Sequence, residues 1–335
     1  MLELILTDEQ KALRERVRAF ARAELAPMAE TVDESDEVSW ELVRKLADFG
    51  LFAQLVPPAF GGVATPTGGN AVSAVTLCLI REEIVQACSQ ADSTFAVQGL
   101  TTQPILIAGS EEQKREHLPS LARGERLGAF ALTEPDAGSD VAGMRTVARL
   151  DGDEYVLDGA KKFVSNAPYA ETYIVFAKTD PNAGAKGISA FVVRKGTLGF
   201  EFGPNLRLLA PHAIGQPQFR GCRVPQTARL GPAGEGFKVA MQTLDLLRAS
   251  VGAAAVGLGQ AGFDLALDYA KRRTAFGGPL ASFQAVRFKL ADMATELDAA
   301  RLLVYRAALR KDRGQPRVTR ESSMAKLYAS EAAWR

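Results

Sequence analysis

Between residues 127 and 230 the sequence changes its hydrophobic period, and no other feature limits the fold as much. Short runs rich in Val, Ile, Phe and Tyr follow one another there, divided by turn formers. The runs are 127–132, 146–150, 155–157, 172–178, 188–194, 200–202 and 218–224. Asp151-Gly152-Asp153 joins the second to the third as a hairpin turn. No helix-length pattern separates these runs, so the sheet is expected to be antiparallel and barrel- or sandwich-like.

The flanking thirds read as helix. Thr7-Asp8-Glu9-Gln10 has the form of a capping box, after which Leu13, Val17, Phe20 and Ala21 share one face, and Pro27 is expected to stop the helix. Ser39 opens a second helix, with Trp40, Val43 and Ala47 inward and Gly50 at its end. Residues 55–69 read as loop. Helices are then expected over 70–90 (carrying Val75, Leu79 and Ile84), 98–108 and 111–121. After the strands, helices are expected over 237–271, where Val239, Leu246, Val256, Phe263 and Leu267 are apolar, over 283–313, and from Thr319 onward, amphipathic at Met324, Leu327 and Tyr328. The predicted class is α+β multidomain: an N-terminal α-helical domain (1–125), a middle antiparallel β domain (126–231) and a C-terminal helical bundle (232–335). The last helix is still in pattern at Arg335, and two and a half helices close a bundle poorly, so further helices are expected beyond it.

Composition narrows the function. Lys+Arg 40 against Asp+Glu 39 leaves a net charge of +1, which gives no whole-molecule attraction to nucleic acid or an anionic membrane. The start, Met1-Leu2-Glu3-Leu4-Ile5-Leu6, lacks a basic n-region, and the longest apolar stretch, 249–263, is too short for a span. Three cysteines without a Cys-x-x-Cys pair suit a reduced, cytoplasmic setting. Two well-separated histidines argue against a zinc site or a histidine triad, and no metal is expected.

Two motifs need weighing. Gly257-Leu258-Gly259-Gln260-Ala261-Gly262 matches the dinucleotide fingerprint in letters, but it sits inside a helical run with no preceding strand. Small residues there fit close helix packing better. The run Phe130-Ala131-Leu132-Thr133-Glu134-Pro135-Asp136-Ala137-Gly138-Ser139-Asp140 passes from a strand into a polar turn with free amides, two hydroxyls and a glycine. It reads either as an ordinary surface turn or as a seat for an anionic or carbonyl-bearing ligand.

Taken with the helix–β–helix order, four motifs resemble the acyl-CoA dehydrogenase family of flavoproteins: Leu132 to Asp140 as its first signature, Phe163-Val164-Ser165-Asn166 as its second flavin segment, Asp245-Leu246-Leu247-Arg248 as its Asp-x-x-Arg, and Arg273-Thr274-Ala275-Phe276-Gly277 with Gln284. The resemblance implies FAD. Backbone groups of Phe130, Leu132 and Thr133, with Gly138, would meet the flavin, Phe163 would lie by its ring, and the Ser165 hydroxyl would donate toward N5. Ser139 would bind the diphosphate or the acyl-CoA, while Asp245 and Arg248 would hold the CoA. Read without the family, Asp245 and Arg248 are an i, i+3 surface pair, and Phe163 is a core aromatic. Arg273, Phe276 and Gln284 would reach the FAD of a neighbouring subunit, which implies a homodimer or homotetramer; the arginine fork suits a pyrophosphate.

The implied reaction is α,β-dehydrogenation of an acyl-CoA thioester, with electrons passed to an electron-transferring flavoprotein. The catalytic base, a glutamate in most relatives, is expected beyond Arg335; the alternative position is occupied by Leu247, which takes no proton. Ala210-Pro211-His212-Ala213-Ile214-Gly215 also departs from the family's Gly-x-Arg-x-Ser-like loop, and His212 reads as a loop residue. Two alternatives stay open: a same-scaffold enzyme acting on a carrier-protein thioester, and a base-less flavin- or CoA-binding protein.

Overall fold

The computed structural model describes residues 5–64 and 72–335. The elements in chain order are α1 (Asp8–Phe20), α2 (Ala26–Val32), α3 (Trp40–Asp48), α4 (Ala74–Ile84), α5 (Ser89–Ala108) and α6 (Glu111–Ala122). Next come β1 (Gly128–Ala131), β2 (Val147–Asp151), β3 (Glu154–Ala160), β4 (Val164–Ser165), β5 (Thr172–Lys178) and β6 (Ile188–Arg194). They continue with β7 (Phe200–Phe202), β8 (Ile214–Gly215), β9 (Pro217–Pro225) and β10 (Arg229–Leu230). The chain ends with α7 (Gly236–Arg272), β11 (Thr274–Ala275), β12 (Gly278–Pro279), α8 (Gln284–Asp312) and α9 (Thr319–Trp334). The chain divides into two units, one made of 1–27, 73–92 and 245–335, the other of 28–72 and 93–244.

Pro27 does not stop the first helix. A π-helical segment, Ala21–Leu25, lets Ala26 N–H bond to the carbonyl of Ala21, so the chain remains helical past the proline's missing donor into α2. The capping box at Thr7 and the Ser39 cap form as read. Trp40 points outward; Leu42, Val43 and Leu46 are the buried face of α3. The expected helix over 70–90 begins at Ala74, capped by Ser73, and the next starts at Ser89. Residues 65–71, the end of the expected loop and the first turn of that helix, lie outside the described residues.

In the second unit the sheet runs β10-β6-β5-β2-β3-β9-β7, with β1 on β5. The sheet is mixed, contrary to the antiparallel expectation: β1 pairs with β5 in parallel over Gly128–Ala131, and β2 meets the same edge of β5 in parallel at Val147↔Lys178. Direction was not legible in the strands' own residues, because the β1–β5 pairing closes across more than forty positions of sequence. The signature turn bridges the two strands that share this edge. Tyr173, Phe200 and Phe219 are buried against one another on β5, β7 and β9, the last two rings stacked at 4.9 Å. Gln98 on α5 fixes the start of β1: its amide donates to the carbonyls of Leu121 and Arg126 and its oxygen accepts Gly128 N–H.

The first unit is helical, and its unusual feature is Arg81-Glu82-Glu83, three consecutive charged residues of α4 that are all buried. Arg81 makes a two-pronged bond to Asp92 and a third to Ser250 Oγ. Glu82 accepts from Arg301 Nε and from the Tyr305 hydroxyl, each at 2.8 Å; Glu83 accepts from Arg14 and Arg18. Asp312, ending α8, caps α4 by accepting from Ser73 Oγ, Ala74 N–H and Val75 N–H. The buried face of α9 is Ser322, Ala325, Ala329 and Ala332, whereas Met324 and Leu327 are exposed, not inward as their spacing suggested. On α7, a Cβ at Gly257 would lie 2.4 Å from the Glu82 carbonyl oxygen and one at Gly259 2.6 Å from Leu297 Cδ2, so these two glycines serve close packing inside a helix and not a dinucleotide. By length and mean hydropathy α7 would suffice to cross a membrane, yet Gly257 and Gly259 pack closely on neighbouring groups and the helix carries the half-buried Asp245–Arg248 ion pair.

Candidate active site

The strand-to-turn segment closes on itself at Glu134 and Ala137, whose main chains exchange hydrogen bonds of 3.0 and 3.2 Å. What holds this turn is a buried ion pair that the sequence did not single out. Lys161 Nζ lies 2.7 Å from Glu134 Oε1 and donates to the Leu132 carbonyl at 3.1 Å, while Glu134 also accepts N–H from Arg145 and Thr146. Burial draws the Lys161 ammonium down to about 8. Burial works to raise the Glu134 carboxyl, but the lysine charge and the hydrogen bonds from Arg145 and Thr146 outweigh it and hold it below its usual range.

With the carboxylate turned inward, the turn offers outward donors. Among the described residues the N–H groups of Thr133, Gly138 and Ser139 donate to no main-chain carbonyl. Ser139 is exposed, Thr133 half-buried and Leu132 buried. Phe130, on β1, leans against Phe176 at 4.9 Å. Among the described residues β1 has a sheet partner only on its β5 side, and at Gly128 its other edge is bonded by the side chains of Gln98 and Asn166.

The second segment is placed beside that edge by Asn166, whose amide donates to the Gly128 carbonyl at 3.0 Å and whose N–H donates to Ala213 O. β4 pairs with β8, carrying Phe163, Ser165 and the His212 loop together. Phe163 is not the core aromatic its residue type suggests: it is 51% exposed with φ 57°, and Lys162 Nζ sits 5.1 Å from the ring centre. A bulky residue in the left-handed region is a strained outlier, the kind retained at functional sites. Ser165 Oγ lies 3.2 Å from His212 Nε2, a contact between residues far apart in sequence.

In the helical unit, Asp245 and Arg248 form an ion pair, and the Thr319 hydroxyl donates to Asp245. Their side chains are half-buried, more enclosed than a plain surface pair. Leu247 is buried. The β11–β12 hairpin turns at Phe276-Gly277, both with positive φ, 47° and 82°. Phe276 is 98% exposed at its tip, with Arg273 and Gln284 also exposed. Among the described residues no group of three or more His, Cys, Asp or Glu gathers to hold a metal.

These residues fit a flavin dinucleotide. The amides and hydroxyls of the turn suit an anionic or carbonyl-rich edge, and the half-exposed Phe163 ring offers an aromatic surface beside them.

Comparison with known proteins agrees. The family models described as acyl-CoA dehydrogenase N-terminal, middle and C-terminal domain match residues 7–125, 129–222 and 234–335. An acyl-CoA dehydrogenase of Bacillus subtilis is 42% identical over 331 residues, covering 98% of this chain and 85% of its own length. Butyryl-CoA dehydrogenase from Megasphaera elsdenii superposes with a TM-score of 0.91 at 36% identity, covering 98% of this chain and 85% of that one. PigA, solved with FAD and proline, gives a TM-score of 0.90 at 31% identity, over 98% of this chain and 85% of its own. The chain therefore belongs to the acyl-CoA dehydrogenase family of oxidoreductases.

Proposed function

We propose that this protein uses FAD to dehydrogenate an acyl-CoA thioester between its α and β carbons, passing electrons to an electron-transferring flavoprotein. The observation that carries the reading is the turn after β1: the main-chain amides of Thr133, Gly138 and Ser139, which donate to no main-chain carbonyl among the described residues, stand beside a strained, half-exposed Phe163. A bound flavin would supply the acceptor for the β-hydride, its N5. Main-chain groups of Phe130, Leu132 and Thr133, with Gly138, would hold the ring's polar edge, and Phe163 would cover its apolar face. Ser165 would place its hydroxyl at N5, and Ser139 would bind the diphosphate or the thioester's CoA.

Asp245 and Arg248 are the proposed contacts of the CoA arm. They already bond each other, so a bound arm would meet a preformed polar pair. Arg273, Phe276 and Gln284 are proposed to serve a neighbouring subunit's FAD in a homodimer or homotetramer. The full exposure of Phe276 supports this, since an apolar ring fixed in water at a strained turn gains most from being covered. Leu247 has no proton to exchange, so the base is proposed to be a glutamate beyond Arg335. Three buried cysteines, none of them in a Cys-x-x-Cys pair, support a cytoplasmic setting.

The test is an anaerobic visible titration of the natural product with a panel of acyl-CoA thioesters. Bleaching of the oxidised-flavin bands by one of them is expected. A spectrum that shifts without bleaching would instead favour a base-less binding protein, and bleaching only by an acyl group on a carrier protein would favour that substrate class. The titration also identifies the acyl chain.

A further inference from the structure

We infer that His212 is a positioning residue that sets the hydrogen-bond polarity of Ser165. The inference rests on the proposed placement of Ser165 at flavin N5. His212 reaches two groups: Nε2 lies 3.2 Å from Ser165 Oγ, and Nδ1 lies 3.2 Å from the carbonyl oxygen of Ala210. A carbonyl only accepts, so the second contact requires the proton on Nδ1. In the neutral imidazole Nε2 is then a lone pair and can only accept. Ser165 has one hydroxyl proton, and the nearby lone pair takes it.

The consequence concerns the side of Ser165 turned toward the cofactor. With its proton committed to His212, Ser165 Oγ presents lone pairs there. Oxidised flavin N5 is itself an acceptor, whereas the reduced form carries N5–H and donates. A serine held by His212 is therefore matched to the reduced flavin. A serine released from the histidine could rotate its proton toward N5 and match the oxidised form. His212 thus biases the flavin toward accepting the hydride without touching it. The backbone supports this geometry: β4 pairs with β8 at Ser165↔Ile214, so the loop that carries His212 is fixed in register with Ser165.

Two measurements on the full-length holoprotein test this, neither of them turnover. First, the flavin reduction potential is measured by dye-equilibrated photoreduction, which needs no thioester. His212→Leu is expected to shift the oxidised–reduced equilibrium about tenfold toward the oxidised form, about 30 mV for a two-electron couple. His212→Gln, whose side-chain oxygen can still accept, should stay near the wild-type value. In a Ser165→Ala background His212→Leu should produce no further shift. An unchanged potential in His212→Leu, or the same shift with and without Ser165, overturns the inference.

Second, imidazole ¹⁵N spectra are recorded; with only two histidines in the chain, assignment needs one variant. A protonated Nδ1 and a hydrogen-bonded, unprotonated Nε2 are expected, with Nε2 moving in Ser165→Ala. The opposite tautomer, or a doubly protonated ring at neutral pH, overturns it. The spectra decide the matter even where a His212 variant fails to fold. Failure of every thioester to bleach the flavin would sink the proposed reaction while leaving both measurements interpretable.

Discussion

Replacing Gly257 by alanine is expected to destabilise the helical unit, while the same replacement at Gly262 is expected to stabilise it. Both residues lie in the interior of α7, where glycine is less favourable than alanine by about 1 kcal/mol. The difference is what the new methyl group would meet. At Gly262 nothing lies within 4 Å. At Gly257 it would fall 2.4 Å from the Glu82 carbonyl oxygen, 2.4 Å from Val85 Cγ1 and 3.1 Å from the Glu82 carbonyl carbon.

A backbone carbonyl within a helix cannot swing aside, so α7 and α4 would have to separate by about 1 Å to restore ordinary contact. Overpacking costs about 1–3 kcal/mol, and a 2.4 Å contact with rigid helix backbone falls in the upper part of that range, about 2–3 kcal/mol. Set against the propensity gain, Gly257→Ala should lose about 1–2 kcal/mol and Gly262→Ala should gain about 1 kcal/mol. Their melting temperatures should differ by roughly 4–12 °C in opposite directions from wild type. Scanning calorimetry of the two variants beside the parent is the assay. Shifts of like sign and similar size would show that propensity alone governs these positions and that the close approach of α7 to α4 is wrong.

Three further outcomes are expected. Lys161→Met leaves the buried Glu134 carboxylate without its counter-charge and the Leu132 carbonyl without its donor, and should cost about 3–5 kcal/mol with weakened flavin retention; a calorimetric loss below about 1 kcal/mol would contradict the role given to the pair. Asp312→Ala removes three hydrogen bonds and a favourable charge from the start of α4 and should cost about 2–3 kcal/mol, with Asp312→Asn closer to wild type, both readable by denaturant titration.

The third outcome concerns acid. Glu134 titrates below its ordinary range when folded, so the unfolded chain binds the extra proton first. Its contribution is complete above the ordinary carboxylate range and is lost as pH falls through the depressed folded value. The acid limb of a stability–pH profile should therefore be shallower in Glu134→Gln, and identical limbs would count against it.

The parts of this fold that depend on local pattern were legible, and the parts that depend on distant partners were not. The edge-to-edge limits of β5, β6 and β7 follow from runs of Val, Ile and Phe bounded by turn formers, and the caps at Thr7 and Ser39 follow from a hydroxyl in the right place. Pro27 misled because a π turn upstream absorbs the missing donor, and no residue type announces a π turn. Met324 and Leu327 misled because α9 buries alanines, which carry little hydrophobic signal, while its larger side chains face outward.

At the candidate site the signature turn, Phe163 and the Phe276 hairpin could be named from motif. Lys161 could not, nor could the roles of Asn166 and His212, because each acts through a contact with a residue that sequence spacing does not connect to it. The exposure of Phe163 went against its residue type for the same reason: hydropathy cannot register a strained backbone.

The three charges of α4 have a consequence for how the helical unit finds its arrangement. Alanine and glycine faces on α7 and α9 are smooth, and smooth helices can slide or roll past one another with little change in buried area. Arg81, Glu82 and Glu83 find partners on four different stretches of chain: Asp92 on α5, Ser250 on α7, Arg301 with Tyr305 on α8, and Arg14 with Arg18 on α1. A shift of α4 by one residue would strand all three charges in the interior at once, and no partial slip leaves two of them satisfied. The triplet thus works as a combination lock, contributing less to how tightly the helices hold than to which single alignment they can hold.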